Sequence, residues 1–82
     1  MSNQPTYPYG IDWSAAAEEW QDVPLMYECF SYIAGNQISI DEVLNRLAAL
    51  LQQLVDNLQR EYVLRLIVYI TLLATPGIPG LP

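Results

Sequence analysis

The fold of this chain depends most on one apolar stretch, Ile40 to Ala74, which reads IDEVLNRLAALLQQLVDNLQREYVLRLIVYITLLA. Apolar residues recur along it in steps of three and four: Ile40, Leu44, Leu47, Leu51, Leu54, Leu58, Tyr62, Leu66, Tyr69 and Leu73. We call these ten positions the predicted apolar stripe. Their spacing averages close to the period of an α-helix, about 3.6 residues. The pattern predicts one continuous helix over residues 40–74, on the order of 50 Å long.

The ends of this predicted helix carry boundary signals. Ser39 followed three residues later by Glu42 fits a capping box, in which the two side chains bond each other's backbone N–H groups at a helix start. Pro76 cannot continue a helix and restricts the residue before it, so the helix should end near residue 74. Inside the stretch, Asp56 and Asn57 are weak turn signals. Residues 62–71 are rich in β-branched and aromatic side chains that also suit a buried strand, but the unbroken stripe favours helix.

Two shorter helices are predicted before this stretch, at about residues 12–22 and 24–34. Apolar residues of the first fall at helical spacing: Trp13, Ala16, Ala17 and Trp20. Either Asp12 or Ser14 can cap this helix. Pro24 either ends the first helix or is the first residue of the second. Gly35 and Asn36 are expected to stop the second helix, because either tolerates the left-handed backbone conformation that closes many helices.

Both ends of the chain are predicted to be extended, because proline disfavours helix. Residues 1–11 would form an arm containing Pro5 and Pro8, and residues 75–82 a Pro-Gly tail. Residues 12–74 would form a single helical domain between them. The predicted fold class is therefore all-α, with two short N-terminal helices packed on one long C-terminal helix, extended proline-containing arms at both ends, and assembly into a helical oligomer.

Composition limits the classes of partner. The chain has 82 residues, of which 52% are hydrophobic, which is too apolar for a disordered acidic tail. Its net charge is −6 and it contains three arginines and no lysine, so direct binding to nucleic acid is not expected, because that needs clustered basic residues. The apolar run over residues 62–74 falls short of the roughly 20 residues that span a bilayer and contains Arg65. No transmembrane segment is expected, although a peripheral membrane factor that inserts residues 63–74 is an alternative.

Catalytic chemistry is not indicated by the residue types present. The chain has no histidine and no lysine, and its one cysteine, Cys29, falls on an apolar stripe with Met26 and Phe30, which is typical of a core residue. No phosphate-binding loop or calcium loop is present. We therefore expect no enzyme activity, no catalytic, cofactor-binding or metal-binding residues, and no cofactor. A single thiol and the lack of a secretory signal predict a location in the cytoplasm, or within a virion or other large assembly.

Two surfaces are predicted to bind other protein chains. From Val63 onward the long helix is apolar nearly all round, so a neighbouring chain is expected to enclose it. The predicted oligomer interface consists of Leu44, Leu47, Leu51, Leu54, Leu58, Leu66, Ile67 and Ile70. The first 35 residues carry five acidic residues and no basic one. The predicted partner-docking residues are Trp13, Glu18, Glu19, Trp20 and Asp22, although the two tryptophans have packing inside the domain as an alternative role.

These features predict a non-catalytic protein whose function is to bind proteins, as a small structural or assembly subunit of a larger complex such as a viral one. The partners would be protein, including further copies of the same chain. An alternative from another class is an acidic inhibitor or immunity-type protein, or a mimic of nucleic acid, that blocks a basic site on a target enzyme. The two differ in which surface binds: the apolar C-terminal half or the acidic N-terminal half.

Overall fold

A computed structural model describes residues 10–74, which contain four α-helices and no strand. The helices are α1 (Trp13–Glu19), α2 (Pro24–Gly35), α3 (Ile40–Gln53) and α4 (Asn57–Ala74). They form two compact units, one containing α1 and α2 and the other α3 and α4, divided between Ser39 and Ile40. The all-helical prediction is confirmed for the described residues, and residues 62–71 are helix. The arms predicted at the two termini lie outside the described residues, apart from residues 10 and 11, and the single domain over residues 12–74 stays a prediction.

The continuous helix predicted over residues 40–74 is wrong. α3 ends at Gln53, and α4 begins at Asn57 after a turn of three residues. Asp56 starts the second helix, because its Oδ2 accepts a hydrogen bond from the backbone N–H of Gln59 at 3.1 Å. The turn lets α3 and α4 pack against each other. A straight helix would leave the apolar side chains of both halves in water, so the hairpin has the lower free energy.

Arg60 connects the two sides of this turn. Its Nη1 donates to the carbonyl oxygen of Leu51 at 2.8 Å and to that of Leu54 at 3.1 Å. The Leu51 carbonyl lies in the last turn of α3, where backbone acceptors have no partner within the helix, and the Leu54 carbonyl directly follows the helix. A cation is also favoured there by the helix dipole. An arginine from the first turn of α4 thus completes the hydrogen bonding of the preceding helix.

The core of the α3–α4 hairpin differs from the predicted apolar stripe. Its buried side chains are Val43, Leu47, Leu50, Leu54, Val63 and Ile70. Of the ten positions in the predicted stripe, only Leu47 and Leu54 are buried. α3 buries Leu47 together with Val43 and Leu50, which lie beside the stripe, and α4 buries Val63 and Ile70, which the stripe also omits. The reason is that α4 is apolar on most sides, so the packing partner selects which side is covered.

The α1–α2 unit has a small aromatic core. Its buried residues are Trp13, Ala16 and Ala17 from α1 and Met26, Phe30 and Ile33 from α2. The rings of Trp13 and Phe30 are tilted at 50° with centroids 6.0 Å apart, a favourable arrangement for aromatic pairs. The small side chains of Ala16 and Ala17 leave room for α2 to approach α1. The indole of Trp13 on the short helix α1 is therefore held in place by its contact with Phe30 of α2.

The boundaries of α1 follow from Asp12 and Pro24. Asp12 is the N-cap, and its Oδ1 accepts from the backbone N–H of Ala15 at 3.0 Å. The helix ends at Glu19, three residues before the predicted end. Pro24 is the first residue of α2 and holds Val23 in an extended conformation (φ −113°, ψ 96°), because a residue before proline avoids helical angles. The chain therefore leaves α1 early and turns, with the N–H of Val23 bonded to the carbonyl of Trp20 at 2.9 Å.

The stop of α2 differs in mechanism from the prediction. Gly35 lies inside the helix, and Asn36 is extended (φ −135°, ψ 146°), so neither adopts the expected left-handed conformation. Instead the side-chain Nδ2 of Asn36 donates to the carbonyl oxygen of Tyr32 at 2.9 Å. An amide side chain thus satisfies one of the last backbone acceptors of the helix. The sequence predicted correctly where α2 ends, but it predicted a left-handed residue in place of the side-chain hydrogen bond that ends it.

Replacing Asp56 with alanine should lower the free energy of unfolding by about 1 kcal/mol, because α4 then loses the side chain that caps its first turn. Urea unfolding followed by far-UV circular dichroism measures the change. Asp56→Asn is the matched control, since asparagine retains an oxygen that can accept from the Gln59 N–H and should leave stability close to that of the natural chain. Equal losses in the two variants would show that the cap is not the source of the stability.

Candidate functional site

The most distinctive surface of the described residues is the outer side of α4. Six of the ten large apolar side chains that are exposed within residues 10–74 belong to this helix. Five of them lie on the side opposite the buried Val63 and Ile70, and we call these five the α4 apolar face: Leu58, Leu64, Val68, Tyr69 and Leu72. Leu58 is 73% and Leu72 is 60% exposed. Several exposed apolar side chains on one side of a helix are typical of a binding site.

An ion pair lies within the α4 apolar face. Arg65 Nη2 is 3.4 Å from Glu61 Oε2, and the two side chains are 79% and 60% exposed. Glu61 and Arg65 are four residues apart on the helix, the spacing that favours such a pair. A pair this exposed contributes little to folding, so its position on the apolar face is more informative than its strength.

The residues of the predicted oligomer interface are divided by the fold. Leu47, Leu54 and Ile70 are buried in the hairpin core. Leu44, Leu51, Leu66 and Ile67 are half-buried, and Leu58 is exposed. Of this set, Leu58 alone belongs to the α4 apolar face, and whether any of the eight contacts a second copy stays a prediction. The predicted interface omitted Leu64, Val68 and Leu72. The apolar residues beside the predicted apolar stripe after residue 62 were the sequence feature that could have identified them.

The predicted docking residues near the amino terminus are also divided. Trp13 is 1% exposed and packs on Phe30, so the indole offers no surface to a partner, and its role as a docking anchor has to be corrected to that of a core residue. Trp20 is half-buried. The three acidic residues of the set, Glu18, Glu19 and Asp22, are exposed at the end of α1 and in the turn that follows. The acidic part of the prediction thus lies where a partner can reach it.

A shallow groove of about 510 Å³ lies between α1 and α2. It is lined by Ser14, Ala17, Glu18, Gln21, Tyr27, Ser31, Ala34 and Gly35. Small residues form much of its lining, and hydroxyl, amide and carboxylate groups supply hydrogen-bond donors and acceptors. Glu18 is the one ionisable carboxylate in the lining, and no thiol or imidazole accompanies it. The groove is therefore suited to contacts with a chain surface, and the side chains that line it do not form a nucleophile and base.

The remaining features of residues 10–74 concern metal ligands, membrane-spanning helices and the one cysteine. This part of the chain has no group of three or more histidine, cysteine, aspartate or glutamate side chains placed to hold a metal ion. Its helices are all too short or too polar to cross a membrane. Cys29 is half-buried on α2, beside the buried Met26 and Phe30.

Comparison of the chain with protein-family models, with curated proteins and with solved structures finds no match.

Proposed function

We propose that this chain is a non-catalytic assembly protein that binds further copies of itself through the α4 apolar face. The observation that carries the proposal is the exposure of Leu58, Leu64, Val68, Tyr69 and Leu72 on one side of one helix. Covering these half-exposed side chains on two copies is worth on the order of 10 kcal/mol. Association costs roughly 4–15 kcal/mol in lost freedom, so this gain exceeds the lower values of the cost and supports weak self-association.

The distribution of charge supports a self-complementary surface in the α3–α4 unit. Residues 1–39 contain five acidic residues and no basic residue, so two copies of that unit repel each other. Residues 40–82 contain four acidic residues and all three arginines, which leaves a formal charge of −1. Copies can therefore approach through the α3–α4 unit with little repulsion, while the acidic units keep the assembly soluble. A larger complex in the cytoplasm or a virion is the setting that we propose.

Gel filtration with light scattering tests this function. The chain should run as a dimer or a larger assembly at high micromolar concentration, because a gain of about 10 kcal/mol against the lowest cost of about 4 kcal/mol leaves roughly −6 kcal/mol, which is a dissociation constant of tens of micromolar. The apparent mass should decrease on dilution. A concentration-independent monomer up to the solubility limit would contradict the proposal.

A second candidate function, blocking a basic site on a target enzyme, is favoured by one observation: all five acidic residues of the α1–α2 unit are exposed. They are Asp12, Glu18, Glu19, Asp22 and Glu28. The two functions differ in salt dependence. Binding by the acidic unit should weaken steeply with ionic strength, because salt screens exposed charges, whereas association through apolar side chains should change little.

A further inference from the structure

Glu61 and Arg65 lie along the middle of the α4 apolar face. With about 100° per residue, both fall within roughly 20° of the direction opposite Val63, and Leu58, Val68 and Tyr69 flank them on the same side. The remaining basic residue of α4, Arg60, points to the end of α3, where it bonds the carbonyls of Leu51 and Leu54. From Glu61 to Ala74, Arg65 is the only basic residue and Glu61 the only acidic one. The face thus carries one charge of each sign, close to its centre.

We infer that two copies pair their α4 helices antiparallel, about a two-fold axis at the level of Val63, with Glu61 of each copy opposite Arg65 of the other. This inference rests on the proposed self-association. A two-fold contact uses the same patch on both copies. If the patch holds an acid and a base at equal distances from the axis, the acid of each copy therefore faces the base of the other. Leu58 of one copy then lies at the level of Val68 of the second, and apolar contacts border the charges on both sides.

The same face disfavours a parallel pairing. In a parallel pair, each residue meets its own copy, so Glu61 would face Glu61 and Arg65 would face Arg65. Like charges in contact across an interface are destabilising. In the antiparallel arrangement the two Glu61 and the two Arg65 side chains alternate, so each charge has a neighbour of opposite sign. The guanidinium of Arg65 supports this role, since it carries five N–H donors and one nitrogen, Nη2, is bonded to Glu61 of its own chain. The other donors can reach a carboxylate on the second copy.

Charge reversal in the full chain tests the arrangement. Glu61→Arg and Arg65→Glu should each weaken the self-association about tenfold, because each places like charges together at two equivalent positions. The double variant carrying both changes should restore the affinity to within a few-fold of the natural chain. Analytical ultracentrifugation gives the dissociation constants, and circular dichroism checks that each variant keeps its helix content. The exposure of both side chains makes loss of the fold in these variants unexpected.

Disulfide trapping gives a second, independent measurement of the pairing. With Cys29 replaced by serine, the chain carrying both Leu58→Cys and Val68→Cys should form a covalent dimer on mild oxidation. Each single-cysteine variant should form little, since its own copy would lie about 15 Å away along the helix. The pair cannot close within one helix for the same reason. Covalent dimers from both single variants would indicate a parallel pair and overturn the inference.

The failure of this inference is distinguishable from failure of the proposed function. If neither charge reversal changes the dissociation constant while Val68→Asp abolishes association, the α4 apolar face binds a second copy and the antiparallel register is wrong. If the double variant is weaker than both single variants, the charges do not face each other and the register is again overturned. If the aspartate at Val68 has no effect on a chain that still associates, the α4 apolar face is not the surface of contact, and both proposals are wrong.

Discussion

Replacing Phe30 with alanine should lower the free energy of unfolding of the α1–α2 unit by about 3–5 kcal/mol. The side chain is fully buried and its ring contacts that of Trp13. Removing it leaves a cavity and deprives the indole of its main aromatic neighbour. Because natural domains are stable by only about 5–15 kcal/mol, a loss of this size should leave the unit largely unfolded well below the transition temperature of the natural chain.

Tryptophan fluorescence measures this effect in the unit where it arises. Both tryptophans of the chain, Trp13 and Trp20, belong to residues 1–39, so denaturation followed by their emission reports on the α1–α2 unit. Tyr27→Ala is the matched control, since it removes an aromatic side chain from the same helix at a position that is 44% exposed. The control should change stability by about 0.5 kcal/mol or less. Similar losses for the two variants would show that Phe30 is not part of a packed core.

Introducing an aspartate at Val68 should raise the dissociation constant for self-association by at least about 100-fold. Val68 is half-exposed in the single chain and lies on the α4 apolar face, so the change should leave the fold intact. In the assembly, the new carboxylate would be taken out of water without a partner, which costs several kcal/mol. A carboxylate on each of two copies would also repel the other. Sedimentation or light scattering over a dilution series measures the shift.

Asn45→Asp is the matched control for the charge. It adds the same negative charge to an exposed position of α3, on the side away from the buried Val43 and Leu47, and changes little else in size. This variant should associate as the natural chain does. If both aspartates weaken association equally, general repulsion explains the result and the α4 apolar face has no special part in it. If neither does, the contact lies elsewhere.

Local sequence signals predicted the starts of α1, α2 and α3 correctly. Asp12 caps α1, Pro24 opens α2 and α3 begins directly after Ser39, all at positions that the sequence indicated. Each of these signals acts between groups no more than four residues apart, so it needs no knowledge of the rest of the fold. The ends were less certain. α1 stops early because Val23 has to be extended before Pro24, and Asn36 stops α2 through its side chain.

The candidate site was predictable in kind and not in detail. The excess of apolar residues after residue 62 predicted a helix that is apolar nearly all round and that a neighbouring chain is expected to enclose. Which residues form that surface depended on the side of α4 that α3 covers, and the buried Val63 and Ile70 leave Leu64, Val68 and Leu72 outside. Trp13, in contrast, was predicted to lie at a binding surface and is buried. An aromatic residue suits a binding site and a core equally, and packing on Phe30 assigned it to the core.

By itself, then, the sequence determined that residues 10–74 are helical, where α1, α2 and α3 begin, and that an acidic half is followed by a more apolar half. Only the tertiary structure decided that residues 40–74 fold back on themselves at Leu54, Val55 and Asp56. The physical reason is that a straight helix and a hairpin show the same apolar period, while the burial that separates them comes from contacts far apart in the chain. The bonds from Arg60 to Leu51 and Leu54 exist only once that turn has formed.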